Sequence, residues 1–339
     1  GVQTCALPIY PKILFRTGGG ISDNTELGFG HLHRSINLAS EFRKCDSFFL
    51  VEDFGGAKNL LLEKKILNFE IFPKKLDLNK EIKISINFIN KHKIDIMIID
   101  RYMINPNYIK EIKKFCKVVI ISDLLKINFP GDLVINGFIG YQNKIIYNKF
   151  KTKCLLGPKY QILDKRFAYL RNSSKTNDLL ITVGGFDEKK SIDQLLDKIE
   201  EFLDKISVKI ILGVGVKSLK IKKYEKLFKS NIKVINYTNN MKKEMEQSRF
   251  AICAGGITSY EYAVFGKYFG IICTERHQLK TADEWEKKGY AKNLGLISNL
   301  SNKKIKKFFE LILENKKLKV KTDIDGLGSI RVKKEILKL

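Results

Sequence analysis

Two stretches of this sequence carry residue types at spacings that could do chemistry. The first runs from Thr17 to Arg34, T-G-G-G-I-S-D-N-T-E-L-G-F-G-H-L-H-R, after the apolar run Ile13–Phe15 and into the helical pattern Leu32–Ile36–Ala39. Glycines at 18, 19, 20, 28 and 30 let a backbone approach a ligand closely, although a flexible turn has the same composition. Free N–H groups at a helix start suit an anion or a polar sugar. The spacing is not the G-x-G-x-x-G of a dinucleotide site. His31 falls where the helix should begin. A positive helix end disfavours imidazolium, so this His is expected to be neutral and able to accept a proton, as a general base near pH 7 must. The alternative is a capping or core histidine. His33, two positions on, points away from any face that His31 shares. Arg34, one turn along, could hold a phosphate or a carboxylate, or simply a surface acid.

The second stretch is Ala254–Glu261, A-G-G-I-T-S-Y-E, following an apolar run that ends at Cys253. It again places glycines where a strand meets a helix, with Thr258 and Ser259 offering hydroxyls and exposed amides suited to a diphosphate. Glu261 lies one turn in, where it could accept hydrogen bonds from both hydroxyls of a ribose; a capped helix with an early acid is the plainer reading. Gly184–Gly185–Phe186–Asp187 is a third glycine pair at a strand end. Gly213–Ser218 superficially suggests a phosphate loop, but the G-x-x-x-x-G-K-[ST] spacing is wrong.

The elements that must position these groups read as two α/β sets. Expected strands are Ile13–Phe15, Ser47–Val51, Asp95–Ile99, Val118–Ile121 and Leu133–Ile135. A second set follows at Leu179–Val183, Val208–Leu212, Lys233–Ile235, Phe250–Cys253 and Phe269–Cys273. Amphipathic stretches such as Ile192–Leu203 lie between them, and near-continuous apolar strands alternating with helices imply buried parallel sheets. Ile82–Ile84–Ile86–Phe88 fits a strand period as well as a helix. Two Rossmann-like halves result, 12–157 and 158–320, with a break at Gly157–Tyr160 and a tail, 321–339, expected to cross back to the N-terminal half. Residues 1–11 read as a leader foreign to the rest. Gly1–Ile9 lacks the basic start and apolar core of a signal peptide.

The chain has 339 residues and a net charge of +25, with 44% hydrophobic residues. That hydrophobic content is enough for real cores and argues against disorder. The lysines are spread along the chain together with abundant Ile and Asn, as an AT-rich coding sequence would give. No nucleic-acid motif accompanies them, and weak attraction to an anionic membrane surface is the other reading of the charge. The six cysteines, at 5, 45, 116, 154, 253 and 273, show no C-x-x-C pair and no cluster with histidine, a reduced, cytoplasmic pattern. No apolar run approaches the ~18–20 residues needed to span a bilayer. None of the four histidines has acidic or Cys neighbours at ligand spacing, so neither a metal nor a cofactor is expected.

The ordered set of motifs resembles the pseudaminic-acid pathway UDP-sugar hydrolases, grouped with spore-coat polysaccharide (SpsG-like) proteins and related to the glycosyltransferase that makes lipid II. The matching pieces are Phe15–Arg16, G-F-G-H with Arg34, I-I-D-R-Y at Ile98–Tyr102, Asp123, and D-L-V-I-N at Asp132–Asn136. They continue with G-P-K-Y at Gly157–Tyr160, V-G-G-F-D at Val183–Asp187, A-G-G-I-T-S-Y-E, Gln278, W-E-K-K-G-Y at Trp285–Tyr290 and D-G-L-G-S-I-R-V at Asp325–Val332. The resemblance implies a GT-B fold and hydrolysis of UDP-2,4-diacetamido-2,4,6-trideoxy-β-L-altropyranose to UDP and free sugar; a monomer is expected. It implies His31 as the base that activates water, with Tyr102 shaping the sugar site. Arg16, Gly28, Gly30, Arg34, Gly184, Gly185, Gly255, Gly256, Thr258, Glu261 and Gln278 complete the expected substrate-binding set. An inverting GT-B glycosyltransferase, or a nucleotide-sugar-binding protein without catalysis, is the competing expectation. The chain departs from the resemblance at Thr17–Gly20, Phe186 and His277, which bear on the identity of the sugar.

Overall fold

A computed structural model describes residues 10–22, 25–73, 76–170, 177–184, 190–213, 218, 220–314 and 318–339. Gly1–Ile9, Gly185–Asp187 and Val214–Lys217, all singled out above, lie outside the described residues. The chain forms two compact units. The first takes residues up to Gly137, Asn143–Leu156 and Ser329–Leu339, and the second takes Phe138–Gln142 and Gly157–Gly328.

The first unit contains β1 (Ile13–Ser22), β2 (Thr25–Gly28), α1 (Gly30–Ala39), β3 (Ser47–Asp53), α2 (Ala57–Glu63), β4 (Phe69–Pro73) and α3 (Leu78–His92). It continues with β5 (Ile96–Asp100), α4 (Pro106–Ile112), β6 (Lys117–Ile121), β7 (Leu133–Asn136), β8 (Lys144–Tyr147) and β9 (Lys153–Leu156). The sheet order is β4-β3-β1-β5-β6-β7-β9-β8, with β2 folded back on β1. All pairs are parallel except β1 with β2 and β8 with β9. The strands are apolar on both faces because helices cover both: Ile13, Leu14 and Phe15 are wholly buried, and Phe15 stacks on Phe49 at 5.0 Å. The ambiguous Ile82–Phe88 segment is helix. Asp77 caps α3 by accepting from the Asn79 and Lys80 amides, and Glu81, Ser85, Phe88 and Ile89 are buried at helical spacing.

The second unit contains β10 (Asn177–Thr182), α5 (Ser191–Ile199), β11 (Val208–Ile211), α6 (Ile221–Leu227), β12 (Ile232–Ile235) and α7 (Met241–Gln247). Then come β13 (Ser248–Ala254), α8 (Ile257–Ala263), β14 (Phe269–Cys273), α9 (Arg276–Lys287), β15 (Ala291–Leu296) and α10 (Asn302–Glu314). Its sheet runs β12-β11-β10-β13-β14-β15, parallel throughout. The last helix, α11 (Gly328–Ile336), counts with the first unit from Ser329 onward, where Glu335 pairs with Lys153 of β9 at 2.5 Å.

Five strands were not expected from the sequence: β2, β4, β8, β9 and β15. Each is short or broken by polar residues; β15, for example, reads A-K-N-L-G-L. The expected end of β1 at Phe15 is also corrected. The strand runs on through the glycines to Ser22, and these glycines serve backbone packing inside the sheet. At Gly20, φ is +144°, and an added Cβ would come within 2.5 Å of the Phe54 and Gly55 backbone.

Candidate functional site

Both sheets place their first strand in sequence beside a later one at the point where strand order reverses. In the first unit this is β1 beside β5, and in the second β10 beside β13. The carboxyl ends of strands at such a reversal are where open α/β sheets bind ligands.

In the first unit, β1 and its hairpin with β2 lead through Gly28 (φ +58°) and Phe29 into α1, which has no side-chain cap. Among the described residues, an added Cβ at Gly28 or Gly30 would touch nothing within 4 Å. His31 is the second residue of α1, its side chain 15% exposed. Its Nδ1 lies 2.7 Å from Oδ1 of Asp100, the last residue of β5, which is fully buried. Arg34, one turn along, donates to the same carboxylate from Nε (2.8 Å) and Nη2 (2.6 Å), and to Asp123 from Nη1 (2.7 Å). Burial pushes the Asp100 carboxyl up, but Arg34 and His31 outweigh it and hold the group below its ordinary value. Arg34 is raised well above its ordinary value: burial opposes its charge, and Asp100 and Asp123 more than offset that.

This network places Arg34, one of the expected substrate-binding residues, on two carboxylates of the chain itself. The side chain is buried and its Nε, Nη1 and Nη2 all donate to Asp100 or Asp123. Arg16 is turned inward likewise. It is 0% exposed, donates to Glu81 (2.7 Å), Glu52 (3.3 Å) and the Thr17 carbonyl (2.6 Å), and lies 4.3 Å from the Phe72 ring centre. No face is left for a ligand. Arg101, next after Asp100, joins the same cluster through Glu81 and Glu52. The end of β5 is thus clamped on both sides. Tyr102 follows it, 61% exposed, with the Lys126 ammonium 5.9 Å from its ring centre. His33 is exposed and sets its ring edge-on to Phe29.

In the second unit, Gly184 follows β10 with φ +94°, and an added Cβ there would meet nothing within 4 Å among the described residues; Gly185 lies outside them. After β13, Gly255 is buried, and a Cβ there would approach Gln278 Cβ at 3.1 Å, so these two expected site residues are packed together. Gln278 turns its Oε1 back to the Thr274 amide at 3.0 Å, bracing the start of α9. Gly256 is exposed, and an added Cβ there would likewise meet nothing within 4 Å among the described residues. Ser259 caps locally onto the Gly256 carbonyl at 2.7 Å, and Thr258 is part-exposed. Glu261 is half-buried and accepts no hydrogen bond among the described residues. Burial and the neighbouring Asp164 push its carboxyl up to about 7, against the pull of Arg166. Arg166 is itself committed to Asp164 (2.8 Å) and the Asn239 carbonyl (3.0 Å).

The residue that sequence reasoning missed is Asp100. It stood in the I-I-D-R-Y motif without a role, and the available signal was an acid closing an apolar strand. Its partnership with His31 arises from the β1–β5 pairing.

Comparison with known proteins agrees with this architecture. Residues 179–334 match the glycosyltransferase family 28 C-terminal domain. The chain is 26% identical over 298 residues to an uncharacterized protein of Methanocaldococcus jannaschii, covering 82% of this chain and 58% of that protein's length. It is 27% identical to the spore coat polysaccharide biosynthesis protein SpsG of Bacillus subtilis, over 72% of this chain and 76% of that one. It is 26% identical to the UDP-2,4-diacetamido-2,4,6-trideoxy-beta-L-altropyranose hydrolase of Campylobacter jejuni, over 82% and 97%. Among solved structures, MurG of Acinetobacter baumannii superposes with a TM-score of 0.68 at 15% identity, covering 97% of this chain and 100% of MurG. The S. aureus MnaA–UDP co-structure gives 0.61 at 12% identity over 96% of both chains. The fold is of GT-B type, two parallel α/β sheets like those of MurG and of UDP-N-acetylglucosamine 2-epimerase, and the chain is a distant relative of the C. jejuni hydrolase and of SpsG.

Proposed function

We propose that this protein hydrolyses a UDP-linked 2,4-diacetamido-2,4,6-trideoxy sugar to the free sugar and UDP, in the biosynthesis of a nonulosonate surface glycan of pseudaminic-acid type. The observation that carries this reading is the His31–Asp100 hydrogen bond at the strand-order reversal of the first unit. It supplies a general base at a ligand-binding position. The distant C. jejuni relative is named as a hydrolase of such a substrate, which supports the choice of reaction and sugar. Co-structures of same-fold proteins with UDP support the nucleotide.

In this reading His31 takes a proton from water as the water oxygen attacks the anomeric carbon. The bond from that carbon to the diphosphate oxygen breaks, UDP leaves with the bonding pair, and His31 returns its proton to solvent. Tyr102 borders the sugar. Gly184, Gly255, Gly256 and Thr258 lie against the diphosphate, and Glu261, whose carboxylate accepts no hydrogen bond among the described residues, accepts from the ribose hydroxyls. The family 28 match favours one rival, transfer of the sugar to an acceptor other than water. Incubation with the diacetamido UDP-sugar alone separates the two. The expected result is stoichiometric UDP and free sugar. UDP released only when an acceptor is added would show a transferase, and binding without turnover would remove catalysis from the reading.

A further inference from the structure

We infer that Asp100 and Arg34 are positioning residues that hold His31 in the tautomer protonated on Nδ1, so that its Nε2 lone pair is the one presented to a reactant. The inference rests on the proposed role of His31 as base, but its geometry stands independently. Asp100 is fully buried at the end of β5 and is held ionised by Arg34, which donates to both of its oxygens. An ionised carboxylate can only accept, so the 2.7 Å contact with His31 Nδ1 requires the proton to sit on that nitrogen. The Arg34 Nη2 contact to the same ring nitrogen is longer, 3.2 Å, and that donor is already engaged with Asp100 at 2.6 Å. It therefore does not compete for an Nδ1 lone pair.

The positions of the partners explain why this arrangement would hold still. Arg34 is fixed one helical turn below His31 on α1 and is tied beyond Asp100 to Asp123, in the segment after β6. Arg101, next in sequence, is anchored to Glu52 and Glu81. Burial pushes Glu81 up, but Arg16 and Arg101 outweigh that and keep it below its ordinary value, so Glu81 stays charged in this second cluster. A base held in one tautomer by a carboxylate needs no reorganisation when it gains a proton, and the resulting imidazolium is stabilised where it forms.

The test reads the tautomer directly and the kinetics beside it. In the intact protein labelled with ¹⁵N-histidine, long-range ¹H–¹⁵N correlation spectra at a pH where the rings are neutral should show His31 protonated on Nδ1. A His31→Asn spectrum identifies the signal among the four histidines. Asp100→Asn should shift that ring toward the Nε2–H form and lower kcat by about 10³–10⁴-fold, with KM for the UDP-sugar changed by less than about threefold. If wild-type His31 is found as the Nε2–H tautomer, the inference is overturned even where Asp100→Asn does not fold. Unaltered kcat in a folded Asp100→Asn protein overturns it equally, while leaving hydrolysis intact. An Nδ1–H tautomer in a protein that releases no UDP supports the positioning geometry and counts against the hydrolase reading alone.

Discussion

The two sheet reversals are built on opposite plans. In the first unit the polar groups around His31 are already satisfied: Asp100, Arg34 and Asp123 are bonded to one another before any ligand arrives. In the second, among the described residues, nothing stands within 4 Å of a Cβ added at Gly184 or Gly256, and Glu261 has no hydrogen-bond partner. Chemistry profits from groups fixed in advance, because their reorganisation then adds nothing to the barrier. Binding profits from groups left unsatisfied, because only those gain by meeting a ligand. Under the proposed function, changes in the first unit should act mainly on rate and changes in the second mainly on affinity, and mutations should separate the two.

The largest effect is expected at His31. His31→Ala should lower the rate of UDP release by about 10²–10⁴-fold while UDP affinity, measured by calorimetry, stays within about twofold. A parallel loss of UDP affinity would erase the contrast. Next comes Arg34→Leu, which leaves Asp100 buried without its counter-charge. It should cost about 3–5 kcal/mol of stability in urea unfolding, more than any single change among the open glycines and Glu261. Near-wild-type stability would show that the first unit is not as tightly wired as its hydrogen bonds indicate.

Changes at Glu261 should be smaller and should appear in binding. Glu261→Gln is expected to weaken UDP binding by about 1.5–3 kcal/mol at pH 8 with kcat little altered. The free carboxyl titrates near 7, so wild-type UDP affinity should fall by up to about tenfold per pH unit below that point, and the Gln variant should lack the dependence. The same raised value fixes the sign for stability without ligand. The neutral form is favoured by folding, so this group's contribution is present below the unfolded-state value and is lost as pH rises through about 7. A pH-independent UDP affinity in the wild type would separate Glu261 from the nucleotide. The smallest effect is expected on chelation: turnover in excess EDTA should stay within about twofold, and a loss of about tenfold or more, restored by Mg²⁺ or Mn²⁺, would show that an ion shares the stabilisation of the leaving diphosphate.

Much of this was legible in the sequence, for definite reasons. Apolar runs such as Ile96–Ile99 and Phe269–Cys273 read as buried parallel strands because both of their faces are covered, and they are such strands in the structure. His31 beside Gly28 and Gly30 announced a helix start after a strand, and that is where it lies. The α/β class and the split into two sheets follow from the same alternation of strand and helix patterns. Hydrophobic periodicity reports which face of an element is buried, but not which element lies across from it. Asp100 meets His31 across 69 residues because β5 pairs with β1, and no local pattern encodes that pairing. Arg34 and Arg16 looked, as charged residues, like candidates for a ligand. Only the tertiary structure turned both inward onto carboxylates that lie far away in sequence, because a buried guanidinium is tolerable only where such partners surround it.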